Sequence, residues 1–468
     1  MEQIAVLDVG SSSLRASIVD ASLAPRLQLV APLPVDHQGV ALVTFDADRL
    51  RADALALLGR LGALARIDAV AITNQRASAI AFDRESGIAL APALGWQDLR
   101  TAPRCLELGR QGLALAPNQS ATKYAWLRAQ VPDTRRLGLA TIDGFLAAAL
   151  THERALATDA TNAAMTGLID EAGQDWDDAV LGVLGLEREW LGPIVANDAP
   201  RGTLALGDRE VPLVVTVADQ QASLLGQRTR AKLTLGTSGV ADLDLGEDRP
   251  RFARRGPAGC FPLLVARLGS DVRFGLEAFW MSAGSAVDWL VATGALPSAK
   301  DTEALAATAD RHHVPVVIPA HQGLGAPIWD FGGRGVLAGL GPATGRAELA
   351  LGLLLGIAAT AAELLAALER DAGICLEEVG LDGKLGANPV VARAIATMRG
   401  HPVLASSCPE ATTVGAARLV FGLARDAIPA PREVPPEADG FARAYLERYL
   451  EHRQLATEAI PVLSRVRF

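Results

Sequence analysis

The chain opens on an unbroken apolar run, Ile4-Ala5-Val6-Leu7, which predicts a buried strand. Gly10 then permits a tight turn filled by Ser11, Ser12 and Ser13, and Leu14 to Val19 resumes as a second strand, so the first twenty residues predict a hairpin with a polar tip. Leu50 to Leu64 spaces its leucines at helical intervals. Ile67 to Ile72 is a short buried strand leading into Thr73-Asn74-Gln75-Arg76, and Leu213 to Val217 is another that delivers Ala218-Asp219-Gln220-Gln221, with a short helix expected over Ala222 to Leu225. Such alternation predicts an α/β fold with ligands at the carboxyl ends of the strands.

The second half repeats this plan. Leu233-Thr234-Leu235 leads to Gly236-Thr237-Ser238-Gly239, and Val240 to Leu245 follows as a second strand. Two polar-tipped hairpins, each opening a half-chain, predict two related domains facing one another across a cleft, with a boundary near Arg228 to Lys232. The expected division is 1–228 and 229–468, with the proline-rich segment from Pro429 and the helix after it packing on the second domain.

Composition narrows the class. A chain of 468 residues, 50% hydrophobic and 21% charged, has material for two or three globular domains. The net charge of −9 and the lack of a dense Lys/Arg run argue against a nucleic-acid surface. Cys105, Cys260, Cys375 and Cys408 show no paired spacing, which predicts reduced thiols and no zinc site. The apolar stretch Leu349 to Ala362 is short of a membrane span and contains two glycines, so it predicts a buried helix. An N-terminus that enters a strand almost at once leaves no room for a leader, and the expected compartment is the cytoplasm. A homodimer is compatible with these features.

The candidate chemistry gathers at strand ends. The first hairpin tip offers backbone N–H groups and Ser hydroxyls to a phosphate, and Asp8 offers a carboxylate to a metal held through water; an ordinary Ser-rich turn is the alternative. Asp219, at the end of an apolar strand, suits general-base work, with a helix N-cap as the competing role. Other nucleotide and hydrolase signatures are absent: Gly383-Lys384 is followed by Leu385, where a Walker loop needs Ser or Thr. His312 and His313 are adjacent, which is poor geometry for a metal pair on a strand.

Taken in order, Asp8 to Arg15, Ile72 to Arg76, Gly95-Trp96-Gln97-Asp98, Thr158 to Ala163, Asp175-Trp176-Asp177, Asp219 to Gln227, Gly236-Thr237, Gly323 to Asp330, Asp382-Gly383 and Gly415-Ala416-Ala417 resemble the FGGY carbohydrate kinases, and among them most the glycerol kinases. The resemblance runs from residue 4 to about 425. It implies two duplicated domains of the actin and hexokinase type of ATPase fold (ribonuclease H-like), with ATP and a small sugar or polyol meeting in the interdomain cleft. It also implies roles: Asp219 as the base, Asp8 for Mg²⁺, and Ser11, Ser12, Ser13 and Arg15 for phosphates. Gly236 and Thr237 would close over the phosphates, with Gly284, Asp288, Gly383, Lys384 and Asn388 on the nucleotide. Gln75, Arg76, Trp96, Asn118 and Gln220 would line the acceptor pocket beside Asp219. In such a kinase the protein mainly positions the reactants and stabilises charge.

The chain departs from the glycerol kinases at several of these positions. Where the resemblance places a glycerol-binding Glu after the Arg, this chain has Ala77; the aromatic residues expected at two further acceptor contacts are Asn118 and Val240. The second glycine after Asp382 is replaced by Lys384. The implied activity is phosphoryl transfer to a ketose, sugar acid or longer polyol, with a non-catalytic sugar- or nucleotide-binding relative as the alternative. A chaperone-like or cytoskeletal ATPase of the same superfold would leave the Gln75-Arg76 and Gly95 to Asp98 segments without a purpose.

Overall fold

The structure is a computed structural model that describes residues 1–458 apart from 40–41, 132–135, 172, 331 and 409. The chain divides into two compact units. The first holds Met1–Gly226 together with Leu264–Arg273 and Glu410–Ile428; the second holds the remaining described residues.

The first unit is built on a six-stranded sheet. Its strands are β1 (Gln3–Val9), β2 (Ser13–Asp20), β3 (Arg26–Pro32), β4 (Ala69–Asn74), β5 (Thr203–Leu206) and β6 (Arg209–Ala218), in the spatial order β5-β6-β4-β1-β2-β3. β1, β4 and β6 are parallel to one another, while β2, β3 and β5 run antiparallel to their neighbours. Every residue of β4 is buried, which is why it reads as a continuous apolar run rather than an alternating one. The helix Ala47–Leu64 starts at Asp46, whose side chain accepts from the Arg49 N–H, and it buries Leu50, Ala54, Leu57, Leu58 and Leu61 against this sheet's core.

Two helices pack closely in the same unit. Asp219–Leu225 follows β6 directly, and Ala411–Phe421 lies against it. A Cβ on Gly415 would sit 1.8 Å from the Ala222 carbonyl oxygen, and one on Gly226 would sit 1.9 Å from that of Ala411. Only glycine allows this approach, which gives the Gly415-Ala416-Ala417 motif a structural reason.

The second unit repeats the arrangement. β7 (Ala231–Leu235), β8 (Gly239–Gly246), β9 (Phe261–Leu268), β10 (Asp271–Trp280), β11 (Gly380–Asp382), β12 (Val403–Ala405) and β13 (Arg432–Val434) form a sheet ordered β9-β10-β8-β7-β11-β12-β13, all of it in the second unit except residues 264–273 of β9 and β10. β7, β11 and β12 are parallel, flanked by antiparallel β8 and β10 on one side and β13 on the other. From β10 to β13 the order and sense match those from β3 to β5, so the two units are copies of one α/β plan. The stretch Leu349 to Ala362 lies in the helix Arg346–Ala372, which is long and apolar enough to cross a membrane but has most of that apolar surface buried in the core.

Candidate active site

In the first unit the ends of β1, β4 and β6 lie side by side, and several charged groups lie there. β1 and β2 place Asp8 opposite Arg15, and β1 and β4 place Asp8 opposite Thr73. Arg15 bonds the carboxylate of Glu410. Burial pushes Asp8 up to about 7, the neighbouring Asp219 carboxylate adds to the effect, Arg15 opposes it and Glu410 adds a little more. The Asp8, Asp219 and Glu410 carboxylates thus lie near the Arg15 guanidinium, with Arg76 beside Asp219. Glu410 was not among the sequence candidates.

Asp219 is the first residue of its helix rather than the cap: Ala218 occupies the N-cap, and the Asp219 carboxylate accepts the adjacent Gln220 N–H at 2.8 Å. Its side chain stays 26% exposed and lies 3.8 Å from Arg76 Nε. A carboxylate at the start of a helix is favoured by the peptide dipoles and remains open to a substrate hydroxyl. Arg76 also reaches Met165 Sδ at 3.6 Å.

The hairpin tip is closed by the Gly10 N–H donating to the Ser13 carbonyl at 2.9 Å, which leaves Ser11 and Ser12 exposed. Trp96 Nε1 donates to Ser11 Oγ at 3.3 Å, so a residue predicted for the acceptor touches one predicted for phosphate. The Gln75 N–H donates to the Val9 carbonyl at 2.8 Å and its side chain is buried; Gln220 is half-buried beside Asp219. Asn118 lies half-buried in the turn before the helix Ala121–Gln130, and no hydrogen bond among the described residues joins it to the others.

Beneath these groups runs a buried polar network. Asn74, at the end of β4, donates to Asn162 Oδ1 at 2.9 Å, and Asn162 donates to Asp159 at 2.7 Å. Asn197 donates to Asp159 at 3.0 Å and to the Thr216 carbonyl of β6 at 2.8 Å, while Thr161 Oγ1 accepts the Ala218 N–H at 2.9 Å. Every member is buried and partnered, so the network fixes the relative height of the two strand ends that carry Arg76 and Asp219. This is the physical role of the Thr158 to Ala163 segment.

In the second unit, the Gly284 N–H donates to the Gly236 carbonyl at 2.9 Å and the Ser285 N–H to that of Thr237 at 3.1 Å. A Cβ on Gly284 would come within 2.6 Å of the Gly236 oxygen, so this helix start can meet the second hairpin tip only as glycine. Gly383 has φ +79°, and a Cβ there would stand 2.5 Å from the Leu235 carbonyl oxygen. Asp288 and Lys384 are both exposed. Asn388 caps the helix Pro389–Arg399, its side-chain oxygen accepting the Val390 and Val391 N–H groups, so that atom is already engaged. His312 and His313 sit exposed in a 3₁₀ turn rather than a strand.

Comparison with known proteins agrees with this arrangement. Residues 3–226 match the N-terminal domain, and residues 231–422 the C-terminal domain, of the FGGY family of carbohydrate kinases. The chain belongs to that family. A glycerol kinase from Trichlorobacter lovleyi is 34% identical over 458 residues, covering 91% of this chain and 90% of its own. Among solved structures, Plasmodium falciparum glycerol kinase with ADP superposes with a TM-score of 0.88 at 21% identity, covering 99% of both chains. Gluconate kinase from Lactobacillus acidophilus gives 0.83 at 19% identity, covering 97% of this chain and 98% of its own. The fold is thus the two-domain carbohydrate-kinase form of the actin and hexokinase-like ATPases, and the protein is a phosphotransferase with an alcohol acceptor, for which the family implies ATP as the donor.

Proposed function

We propose that this kinase phosphorylates a ketose, a sugar acid or a polyol longer than glycerol, with Asp219 as the base. In the reaction the acceptor hydroxyl oxygen attacks the γ-phosphorus, the bond to the β-bridging oxygen breaks, ADP departs, and the hydroxyl proton passes to the Asp219 carboxylate. Arg76, 3.8 Å from that carboxylate, orients the acceptor, with Gln75, Trp96, Asn118 and Gln220 around it. Ser11, Ser12, Ser13, Arg15, Gly236 and Thr237 hold phosphates, and Gly284, Asp288, Gly383, Lys384 and Asn388 serve the nucleotide.

No group of three or more His, Cys, Asp or Glu side chains that could hold a metal is found among the described residues, so a divalent cation here would take most of its ligands from water and phosphate oxygens. Burial and then the Asp219 charge raise the proton affinity of Asp8, and a hard cation with oxygen ligands would favour its ionised form. Asp8 would hold Mg²⁺ through water, and the ion would neutralise charge on the phosphates. Cytoplasmic location accompanies this reading.

The observation that carries the choice of acceptor is Ala77 together with Asp98. Ala77 brings no carboxylate to the pocket, and Asp98 cannot replace one. Its buried carboxylate accepts the Val43 N–H at 2.7 Å and both Nε and Nη2 of Arg100 at 2.8 Å. Burial alone would push Asp98 up, but the Arg100 bonds and the Val43 and Arg100 N–H groups together hold it below the usual carboxylate value. A substrate with more oxygen atoms of its own suits a pocket that keeps Arg76 and lacks the acid.

The test is incubation with ATP, Mg²⁺ and a panel of ketoses, sugar acids and polyols, followed by phosphorus NMR. A phosphomonoester formed with stoichiometric ADP supports the reading. ATP consumption that no acceptor alters would contradict it.

A further inference from the structure

The helix Ala121–Gln130 carries Lys123, whose side chain is fully buried. Its ammonium meets no carboxylate among the described ion pairs. It donates instead to three backbone carbonyls: Gly95 at 2.8 Å, Trp96 at 3.1 Å and Ala77 at 3.2 Å. An ammonium has three N–H donors, so its hydrogen-bonding capacity is filled by these oxygens.

The two segments it joins are those that bear the acceptor contacts. Ala77 follows Arg76 directly, and Trp96 is itself one of the contacts. Ala77 also has φ +58°, a left-handed conformation that a side-chain-bearing residue adopts at some cost. Burial draws Lys123 down to about 7, and the nearby Asp98 carboxylate opposes that shift.

We infer that Lys123 is a positioning residue that sets acceptor affinity by tying the Arg76-Ala77 backbone to the Gly95-Trp96 backbone. The inference rests on the reading of Arg76 and Trp96 as acceptor contacts. Lys123 touches no reacting atom. Without it, the buried Ala77 carbonyl and the part-buried Trp96 carbonyl lose this donor, the Gly95 carbonyl keeps only the Asp98 N–H, and Arg76 and Trp96 are free to separate. Displacing a contact by an ångström is enough to degrade productive binding.

The test compares wild type, Lys123→Met, Arg76→Ala and the double variant with the best acceptor, under saturating ATP and then under saturating acceptor. Lys123→Met should raise the acceptor KM roughly tenfold or more, as expected for buried groups left unpaired, with the KM for ATP unchanged. In the Arg76→Ala background the loss should be much smaller, because Lys123 acts through a contact already removed. If Lys123→Met fails to fold, Lys123→Gln, which keeps two donors without the charge, is read in its place and should show the same selective rise in smaller measure. An unchanged acceptor KM, an equal rise in both KM values, or full additivity with Arg76→Ala overturns the inference while leaving the pocket assignment standing. If Arg76→Ala itself leaves the acceptor KM unchanged, the pocket assignment fails and this inference with it.

Discussion

Replacing Asp219 by Asn removes a proton acceptor while disturbing little else. Asn is close in shape, and its side-chain oxygen can still accept the Gln220 N–H that the carboxylate accepts at 2.8 Å, so the helix start is preserved. The ion pair with Arg76 is long, 3.8 Å, and partly solvated, with side-chain exposures of 15% and 26%. Its loss should cost less than about 1 kcal/mol of stability. Removing the negative charge also relieves Asp8, whose raised proton affinity is partly due to Asp219. Folding should therefore be nearly unchanged. Catalysis should not be: loss of a general base costs about 10²- to 10⁴-fold, which corresponds to about 3–5 kcal/mol of barrier. The assay is ADP release with the best acceptor at saturating ATP, alongside calorimetric titration with ATP. The expected result is a kcat lowered by at least about a hundredfold with ATP affinity within a few-fold of wild type. An Asp219→Asn enzyme with nearly full turnover would refute the assignment.

Other consequences are equally direct. Asp8 has a folded-state pKa raised from 3.8 to about 7, so its contribution to stability is fully present below about pH 4 and is lost as pH rises through 7. Chemical denaturation in chelator from pH 5 to 8 should show Asp8→Asn gaining on wild type as pH rises, by at most about 3 kcal/mol across that window; parallel profiles would show that Asp8 is not under this strain. Glu410→Gln should loosen Arg15 and raise the KM for ATP by up to about fivefold, the scale of a partly exposed ion pair, and an unaltered value would mean the pair is purely structural. Gly415→Ala should lower stability by about 1–3 kcal/mol, as expected for overpacking, because its Cβ would lie 1.8 Å from the Ala222 oxygen; a thermal midpoint equal to wild type would show that the helices can part at no cost.

Both hairpins, the strand leading to Asp219 and the duplication were legible because these segments are buried on both faces, so apolar runs broken by Gly and hydroxyl residues mark them without ambiguity. Glu410 was not legible. It joins Arg15 from 395 residues away, and only the glycine-mediated packing of Ala411–Phe421 on Asp219–Leu225 brings it there. Lys123 was not legible either, since nothing in a helix pattern shows a lysine pointing at backbone oxygens. Asn388 shows the opposite difficulty: an Asn just before Pro389 is as natural a helix cap as a nucleoside contact, and its side-chain oxygen is in fact used as the cap. The two short segments that belong with the first unit, 264–273 and 410–428, carry no compositional mark of their membership.

The central claim is that the pocket around Arg76, Ala77 and Asp219 has moved away from glycerol while keeping its chemistry. It is tested most directly by kcat/KM for glycerol measured side by side with ketoses, sugar acids and five- and six-carbon polyols, under one ATP and Mg²⁺ concentration. The account predicts at least one longer acceptor well above glycerol, by about tenfold or more, since each unpaired hydrogen bond in a desolvated pocket is worth on the order of 1–3 kcal/mol. Glycerol at the head of the ranking would contradict it.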